Sequence, residues 1–188
     1  NNVLAVDIDN KKITKLNQKI SPIKDKEISK YLKLKELNIE AKIIKETVYI
    51  NADFIIICTP TDYDDSTKSF NTSSVEEIIK NILDENSSAF IIIKSTVPIG
   101  TAIRIAQELK SKRPDINFDV ISNPEFLREG LAITDFITPD RIIIGHTTDD
   151  AKKLMEKIYV DITVKDIPIV FCNNNTAELI KYAANSFL

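Results

Sequence analysis

Three short segments collect residue types that move protons and stabilise charge. Asn123-Pro124-Glu125-Phe126-Leu127-Arg128-Glu129-Gly130 joins two carboxylates, a guanidinium and an aromatic ring just after the apolar run Phe118 to Ser122. Lys94-Ser95-Thr96-Val97-Pro98-Ile99-Gly100 follows the run Phe90 to Ile93, and Glu178-Leu179-Ile180-Lys181-Tyr182-Ala183-Ala184-Asn185 lies near the end of the chain. Lys181 and Asn185 are four apart and share one face of a helix. Ile180, Ala183, Ala184 and Phe187 form an apolar stripe beside them, so the pair is expected to rim a cleft. The three segments read together as one site.

Each residue also has a plainer reading. Thr96 suits the cap of a helix opening after Pro98, and Glu125 to Glu129 suits a first helical turn. Lys181 and Asn185 would look the same on a solvated face. Lys94 would serve as an ordinary strand-end residue, and Asp7 and Asp9 as helix-capping carboxylates.

The elements that must position these residues show in the hydrophobic pattern. Short runs rich in Ile and Val recur at Val3 to Asp7, Phe54 to Cys58, Phe90 to Lys94, Phe118 to Ser122, Arg141 to Gly145 and Ile167 to Phe171, as expected of strands buried on both faces. Amphipathic stretches at Lys11 to Gln18, Lys26 to Leu37, Ser74 to Leu83, Thr101 to Lys112 and Asp149 to Tyr159 predict helices between them. A last helix opens near Asn174, capped by Asn175 or Thr176, and Thr72 opens another. The alternation predicts an α/β fold: a Rossmann-like, doubly wound, mostly parallel sheet followed by the start of a long central helix. The polar stretch Asp62 to Thr72 is the longest expected loop and is placed to cover a ligand.

Composition narrows the class. With 188 residues, 43% hydrophobic and 28% charged, the chain can bury a core. A net charge of -3 provides no positive excess for nucleic-acid phosphates or anionic lipid, so neither partner is expected. No run approaches the roughly 18 apolar residues of a membrane span, and a cytoplasmic protein is expected. Cys58 and Cys172 lack metal-ligand spacing and each ends an apolar run, which predicts buried free thiols and no metal. The sole histidine, His146, is expected to face solvent in a polar turn.

The three segments, with Ala5-Val6-Asp7, Ser21-Pro22-Ile23, Thr59-Pro60-Thr61 and Pro139-Asp140-Arg141-Ile142-Ile143-Ile144-Gly145, resemble the UDP-glucose 6-dehydrogenase family of nucleotide-sugar dehydrogenases over nearly the whole chain. The resemblance implies NAD-dependent, two-step oxidation of the C6 alcohol of UDP-glucose to the carboxylate, using two NAD and a covalent thioester. It implies Glu125 as a base in thioester hydrolysis, Lys181 and Asn185 as stabilisers of the oxyanion that orient water, and Thr96 beside the nicotinamide. It places Asp7 and Lys12 at the adenosine ribose, Thr61 in the cofactor channel and Glu129 near the nicotinamide ribose. Phe126, Leu127 and Arg128 are implied to wrap the sugar nucleotide through their backbone, with Glu125, Glu129, Lys181 and Asn185 also at the substrate. A homodimer built on the final helix is implied as well.

The chain departs from that pattern in two ways. Its three glycines, Gly100, Gly130 and Gly145, form no G-x-G-x-x-G turn, and no segment matches the family's nucleophile, a role assigned to neither cysteine. The expectation is therefore an excerpt: residues 1–173 as an NAD-binding domain lacking its first strand, residues 174–188 as the start of the connecting helix, and a UDP-binding domain outside the chain. Loss of a central strand should leave two unpaired sheet edges. The alternatives are a dehydrogenase of GDP-mannose, UDP-N-acetylmannosamine or a hydroxyacid, or a non-catalytic nucleotide-binding remnant.

Overall fold

Isoleucine-rich runs bounded by polar turns set the architecture, because β-branched side chains fit a pleated surface covered on both sides. The computed structural model describes residues 2–34, 36–44, 47–66, 68–85, 87–116, 118–128, 130–160 and 166–187. The chain divides into two compact units, Asn1–Val48 with Leu127–Ile137, and Tyr49–Phe126 with Thr138–Leu188.

In the first unit, β1 (Val3–Asp7) pairs in parallel with β2 (Ile39–Ile43), Val3 opposite Ile39 and Asp7 opposite Ile43. Helices α1 (Asn10–Asn17) and α2 (Lys26–Leu34) form the crossover. The Asn17 side chain ties α1 to β2 by donating to the Ala41 carbonyl at 3.0 Å and accepting the Ala41 N–H at 2.8 Å. Strand β2 is absent from the sequence reading.

In the second unit, β3 (Phe54–Ile57), β6 (Phe90–Ile93), β7 (Val120–Ser122), β8 (Ile142–Gly145) and β9 (Ile169–Cys172) form one sheet in that order. Every pair is parallel except β7 with β8, which meet only at Ser122 opposite Gly145. Helices α3 (Ser73–Asp84), α4 (Thr101–Lys112), α6 (Asp149–Ile158) and α7 (Asn174–Ser186) accompany it, and α5 (Ala132–Ile137) belongs to the first unit.

Ile91, Ile92, Ile93, Ile121 and Ile144 are fully buried, as are Val75 and Ile82 of α3, Ile105 and Leu109 of α4 and Met155 of α6. Each such side chain contributes about 1.5–3 kcal/mol of burial free energy. The resulting Rossmann-like α/β fold with a mostly parallel sheet is the one expected. Among the described residues, strands β1 and β3 each have a neighbour on one side only, and Val3, Leu4, Phe54 and Ile56 are exposed.

The stretch expected as a loop at Asp62 to Thr72 instead contains a small antiparallel hairpin, β4 (Tyr63–Asp64) and β5 (Ser69–Phe70). Aromatic packing explains it: Phe70 meets Tyr63 edge-on at 5.2 Å and Tyr182 of α7 at 5.4 Å. Among the described residues no helix is long and apolar enough to cross a membrane.

Candidate functional site

The carboxyl ends of β6 and β7 carry two of the three suspected segments. After β6, the Thr61 hydroxyl donates to the Thr96 carbonyl at 2.5 Å, and the Ser95 hydroxyl donates to the Thr59 carbonyl at 2.7 Å. Thr61 and Thr96 are thus brought together, both half-buried. Thr96 is not the helix cap. That position belongs to Gly100, whose φ of 94° lies in the left-handed region and which has no side chain with which to cap.

The Glu178 carboxylate fills this gap from α7. It accepts the Gly100 N–H at 2.6 Å and the Ala102 N–H at 2.9 Å, and the Ser122 hydroxyl at 3.2 Å. Burial pushes its pKa up, against the pull of the amides of Ala102 and Gly100.

After β7, the chain runs as an irregular loop through Asn123 to Arg128 rather than as a helical turn. Asn123 anchors it, donating to the Ile143 carbonyl at 2.8 Å and accepting the Tyr159 hydroxyl at 2.6 Å. The Lys94 ammonium bonds the Asn123 carbonyl at 3.2 Å and Oδ1 at 3.1 Å, so Lys94 is part of a buried network and no ordinary strand end. Burial holds its pKa below the usual lysine range, opposed by Cys58 and Glu125 and assisted by Lys181.

Helix α7 brings Lys181 to this loop. Its Nζ lies 2.5 Å from the Glu125 carbonyl oxygen, 3.4 Å from Glu125 Oε1 and 5.2 Å from the centre of the Phe126 ring. The Arg141 guanidinium sits 4.5 Å from the same ring. Asn185 is exposed one turn further on.

The buried face of α7 is not the expected apolar stripe. Asn174, Ala177, Glu178 and Lys181 are buried, whereas Ala183 is exposed and Phe187 is 90% exposed. The reason is that α7 packs on strand ends and a helix N-terminus, whose backbone groups need polar partners. Asn174 shows this by accepting the Ser122 N–H at 3.0 Å and donating to the Val120 carbonyl at 2.9 Å. The cap of α7 is Asn173, which accepts the Thr176 N–H at 2.9 Å, not Asn175 or Thr176. Thr72 makes no side-chain cap of α3 either; the Asn71 side chain accepts the Ser73 N–H instead.

In the first unit, Asp9 caps α1 by accepting the Lys11 N–H, which leaves Asp7 a different job at the end of β1. Asp7 accepts the Asp9 N–H at 2.8 Å and pairs with Lys12 at 3.1 Å. Burial pushes its pKa up, but the Asp9 amide and the Lys12 ammonium outweigh that and hold it below the usual range. Arg128 is paired with Asp135 at 2.7 Å and Leu127 is partly exposed, while Glu129 lies outside the described residues.

Three smaller expectations are corrected. Cys58 is exposed and Cys172 half-buried, because they stand at the ends of β3 and β9, the outer strands of the sheet among the described residues. His146 is half-buried, its Nδ1 3.1 Å from the Thr148 carbonyl and its ring edge-on to Phe171 at 5.7 Å. No role was expected for Asn174 or Tyr159, and Asn123 and Glu178 entered only as the first residues of two of the three segments. The signal for Glu178 and Asn174 was their spacing of three and seven residues before Lys181.

Dinucleotide binding asks for an ionised acceptor at a strand end that can take ribose hydroxyl bonds. Asp7 supplies one, half-buried and with lone pairs beyond those used by Asp9 and Lys12. The mostly parallel sheet with helices between its strands defines the class, a Rossmann-like α/β domain.

The chain belongs to the UDP-glucose/GDP-mannose dehydrogenase family, whose NAD binding domain matches residues 1–163, and its cofactor is NAD. It is 38% identical over 188 residues to a UDP-glucose 6-dehydrogenase of Campylobacter jejuni, all of this chain against 46% of that protein. The fold superimposes on a GDP-mannose dehydrogenase of Pseudomonas aeruginosa, solved as a ternary complex, with TM-score 0.87 and 25% identity over 98% of this chain and 44% of that one. A UDP-D-ManNAc dehydrogenase of Pyrococcus horikoshii matches with TM-score 0.86 and 26% identity over 99% of this chain and 44% of that one. The chain thus spans about half the length of the relatives it matches.

Proposed function

We propose that this chain is the NAD-binding portion of a UDP-glucose 6-dehydrogenase, which converts the C6 alcohol of UDP-glucose into a carboxylate in two successive oxidations. The observation that supports it best is the approach of Lys181 to Glu125, an ammonium and a carboxylate on separate elements that converge at 3.4 Å beside the loop carrying Phe126. The likeness to UDP-glucose 6-dehydrogenases supports the choice of sugar.

NAD, when bound, accepts the hydride of each oxidation. The chain's own residues supply placement and charge. Asp7 and Lys12 hold the adenosine ribose, and the Asp7 carboxylate disfavours a 2′-phosphate there. Thr61 and Thr96 line the nicotinamide end, and Glu129 is assigned to its ribose from the sequence alone. Phe126, Leu127 and Arg128 wrap the sugar nucleotide through their backbone.

In the second half of the reaction Glu125 takes the proton of the attacking water. Lys181 and Asn185 stabilise the oxyanion as it forms, a role suited to an ammonium already desolvated by the helix. The nucleophile that carries the thioester is a cysteine other than Cys58 and Cys172. The domain boundary falls near residue 173, where α7 begins a connecting helix through which a cytoplasmic homodimer assembles.

The test is NADH formation by the full-length protein given NAD and, separately, UDP-glucose, GDP-mannose, UDP-N-acetylmannosamine and a simple hydroxyacid. Turnover of UDP-glucose with two NADH per uronate is expected. Exclusive turnover of any other substrate overturns the assignment.

A further inference from the structure

Helix α4 opens without a cap of its own. The first N–H groups of a helix have no partner within it, and the usual remedy is a Ser, Thr, Asp or Asn side chain at the cap position. Gly100 has none, and its φ of 94° would strain any residue that did. The partner comes instead from a residue 78 positions later, the Glu178 carboxylate, 3% exposed and bonded to Gly100, Ala102 and Ser122. A carboxylate at a helix N-terminus is also favoured by the helix dipole.

The arrangement joins two parts of the site. Thr96 sits on the short connection between β6 and α4, whose far end Glu178 grips. Lys181 sits one helical turn after Glu178 on the same face of α7, reaching the Glu125 loop. Asn174, four residues before Glu178, fixes the same face to β7. One buried stripe of three polar side chains therefore sets the register of α7 against both loops.

We propose that Glu178 is a positioning residue, whose carboxylate holds the Thr96 segment and the Lys181 turn of α7 in a single fixed register. The roles of Thr96 and Lys181 rest on the reaction proposed above; the register does not. A displacement of about 1 Å in such a constellation is enough to cost up to about 100-fold in rate.

The experiment compares Glu178→Ala and Glu178→Gln with the parent full-length protein by thermal melting, hydrogen exchange at the Gly100 and Ala102 amides, and steady-state kinetics with NAD and UDP-glucose. In folded Glu178→Ala both amides exchange at least about tenfold faster and kcat falls by at least about tenfold, while KM for the sugar nucleotide changes little. Glu178→Gln, which keeps one acceptor oxygen, falls between the two. Should Glu178→Ala fail to fold, Glu178→Gln is judged on the same readouts. Unchanged amide exchange, or a kcat within about twofold of the parent in a folded variant, overturns the proposal. A parent that oxidises none of the sugar nucleotides defeats the assigned reaction, and the exchange measurement still decides the register.

Discussion

The Lys181 ammonium lies 2.5 Å from the Glu125 carbonyl oxygen but 3.4 Å from its carboxylate, so the loop backbone, more than the ion pair, fixes the lysine. The two side chains can then act separately. Lys181→Ala is expected to lower kcat by about 10²–10³-fold, the usual loss when one oxyanion donor is removed. Lys181→Arg should not restore it, because a planar fork cannot replace a point charge in a 7% exposed site. Steady-state NADH formation measures both, and a Lys181→Ala enzyme within about tenfold of the parent would remove Lys181 from the chemistry.

Glu125→Gln leaves the carbonyl that holds Lys181 in place, so its effect should be confined to proton transfer. The expected result is a kcat lower by about 10²–10⁴-fold with little change in melting temperature. Rapid-mixing absorbance should then show a burst of two NADH per active site, because both oxidations precede the slowed hydrolysis of the thioester. A folded variant that hydrolyses at the parent rate contradicts the assignment of Glu125 as base.

Packing at one glycine controls where α7 lies. A Cβ built on Gly145 would stand 2.7 Å from Asn174 Cα and 2.8 Å from Ala177 Cβ, closer than real atoms approach. Gly145→Ala must therefore push α7 off β8, with a cost of about 1–3 kcal/mol for overpacking. Because the same helix carries Lys181, kcat should fall along with the melting temperature. Gly130→Ala is the contrast: its φ of 77° strains any side chain, but nothing lies within 4 Å of its Cβ, so stability falls without a shift of α7. Melting curves and kcat for the pair separate the two effects, and equal kcat in both would refute a role for the α7 position.

The parts legible in the sequence were those governed by local pattern. Buried strands such as Ile91-Ile92-Ile93 announce themselves by composition, and the three polar segments stand out by contrast with them. Strand β2 was missed although Ile39, Ala41 and Ile43 alternate with Glu40 and Lys42, because five residues of alternation with two charged positions lack the continuous Ile and Val run that marks the other strands. The face of α7 was misread for a different reason. Periodicity assumes that a buried helix face is apolar, whereas this one meets backbone N–H and C=O groups that only Asn174, Glu178 and Lys181 can satisfy. The partners of Lys94 and Tyr159 converge on Asn123 from distant positions, and no local rule reports such a meeting.

Glu178 gives the fold a characteristic response to pH. Its pKa in the folded state is raised, chiefly by burial, above that of an unfolded chain. Between the two values the folded protein keeps a proton that the unfolded chain has released, so stability is fully present below about pH 4.3 and declines as pH rises through the folded pKa. The parent should therefore lose melting temperature across that window, with the Asp7 carboxylate, held low by Asp9 and Lys12, acting in the opposite sense at more acid pH. Glu178→Gln cannot release a proton and should flatten the decline without touching the acid side. Melting curves collected at pH 4 to 8 decide it, and an unchanged slope in the variant would mean that the Glu178 carboxylate is already ionised at the acid end.

Asp7 offers a sharper test of cofactor choice, since its charge bears on the two dinucleotides in opposite ways. In the role proposed for it, an acceptor at the end of β1 beside Lys12, Asp7 would bind ribose hydroxyls and, as an anion, repel the 2′-phosphate of NADP. Asp7→Asn removes the charge and keeps the size. It also releases Lys12, now without its ion-pair partner, to meet a phosphate instead. The dissociation constant for NAD should rise by about tenfold or more, as for loss of a hydrogen bond to a charged group, while that for NADP falls. Equilibrium titration with each dinucleotide reads both numbers. If NAD weakens and NADP does not tighten, Asp7 binds the ribose without selecting the cofactor; if NAD affinity is unchanged, the ribose is held elsewhere.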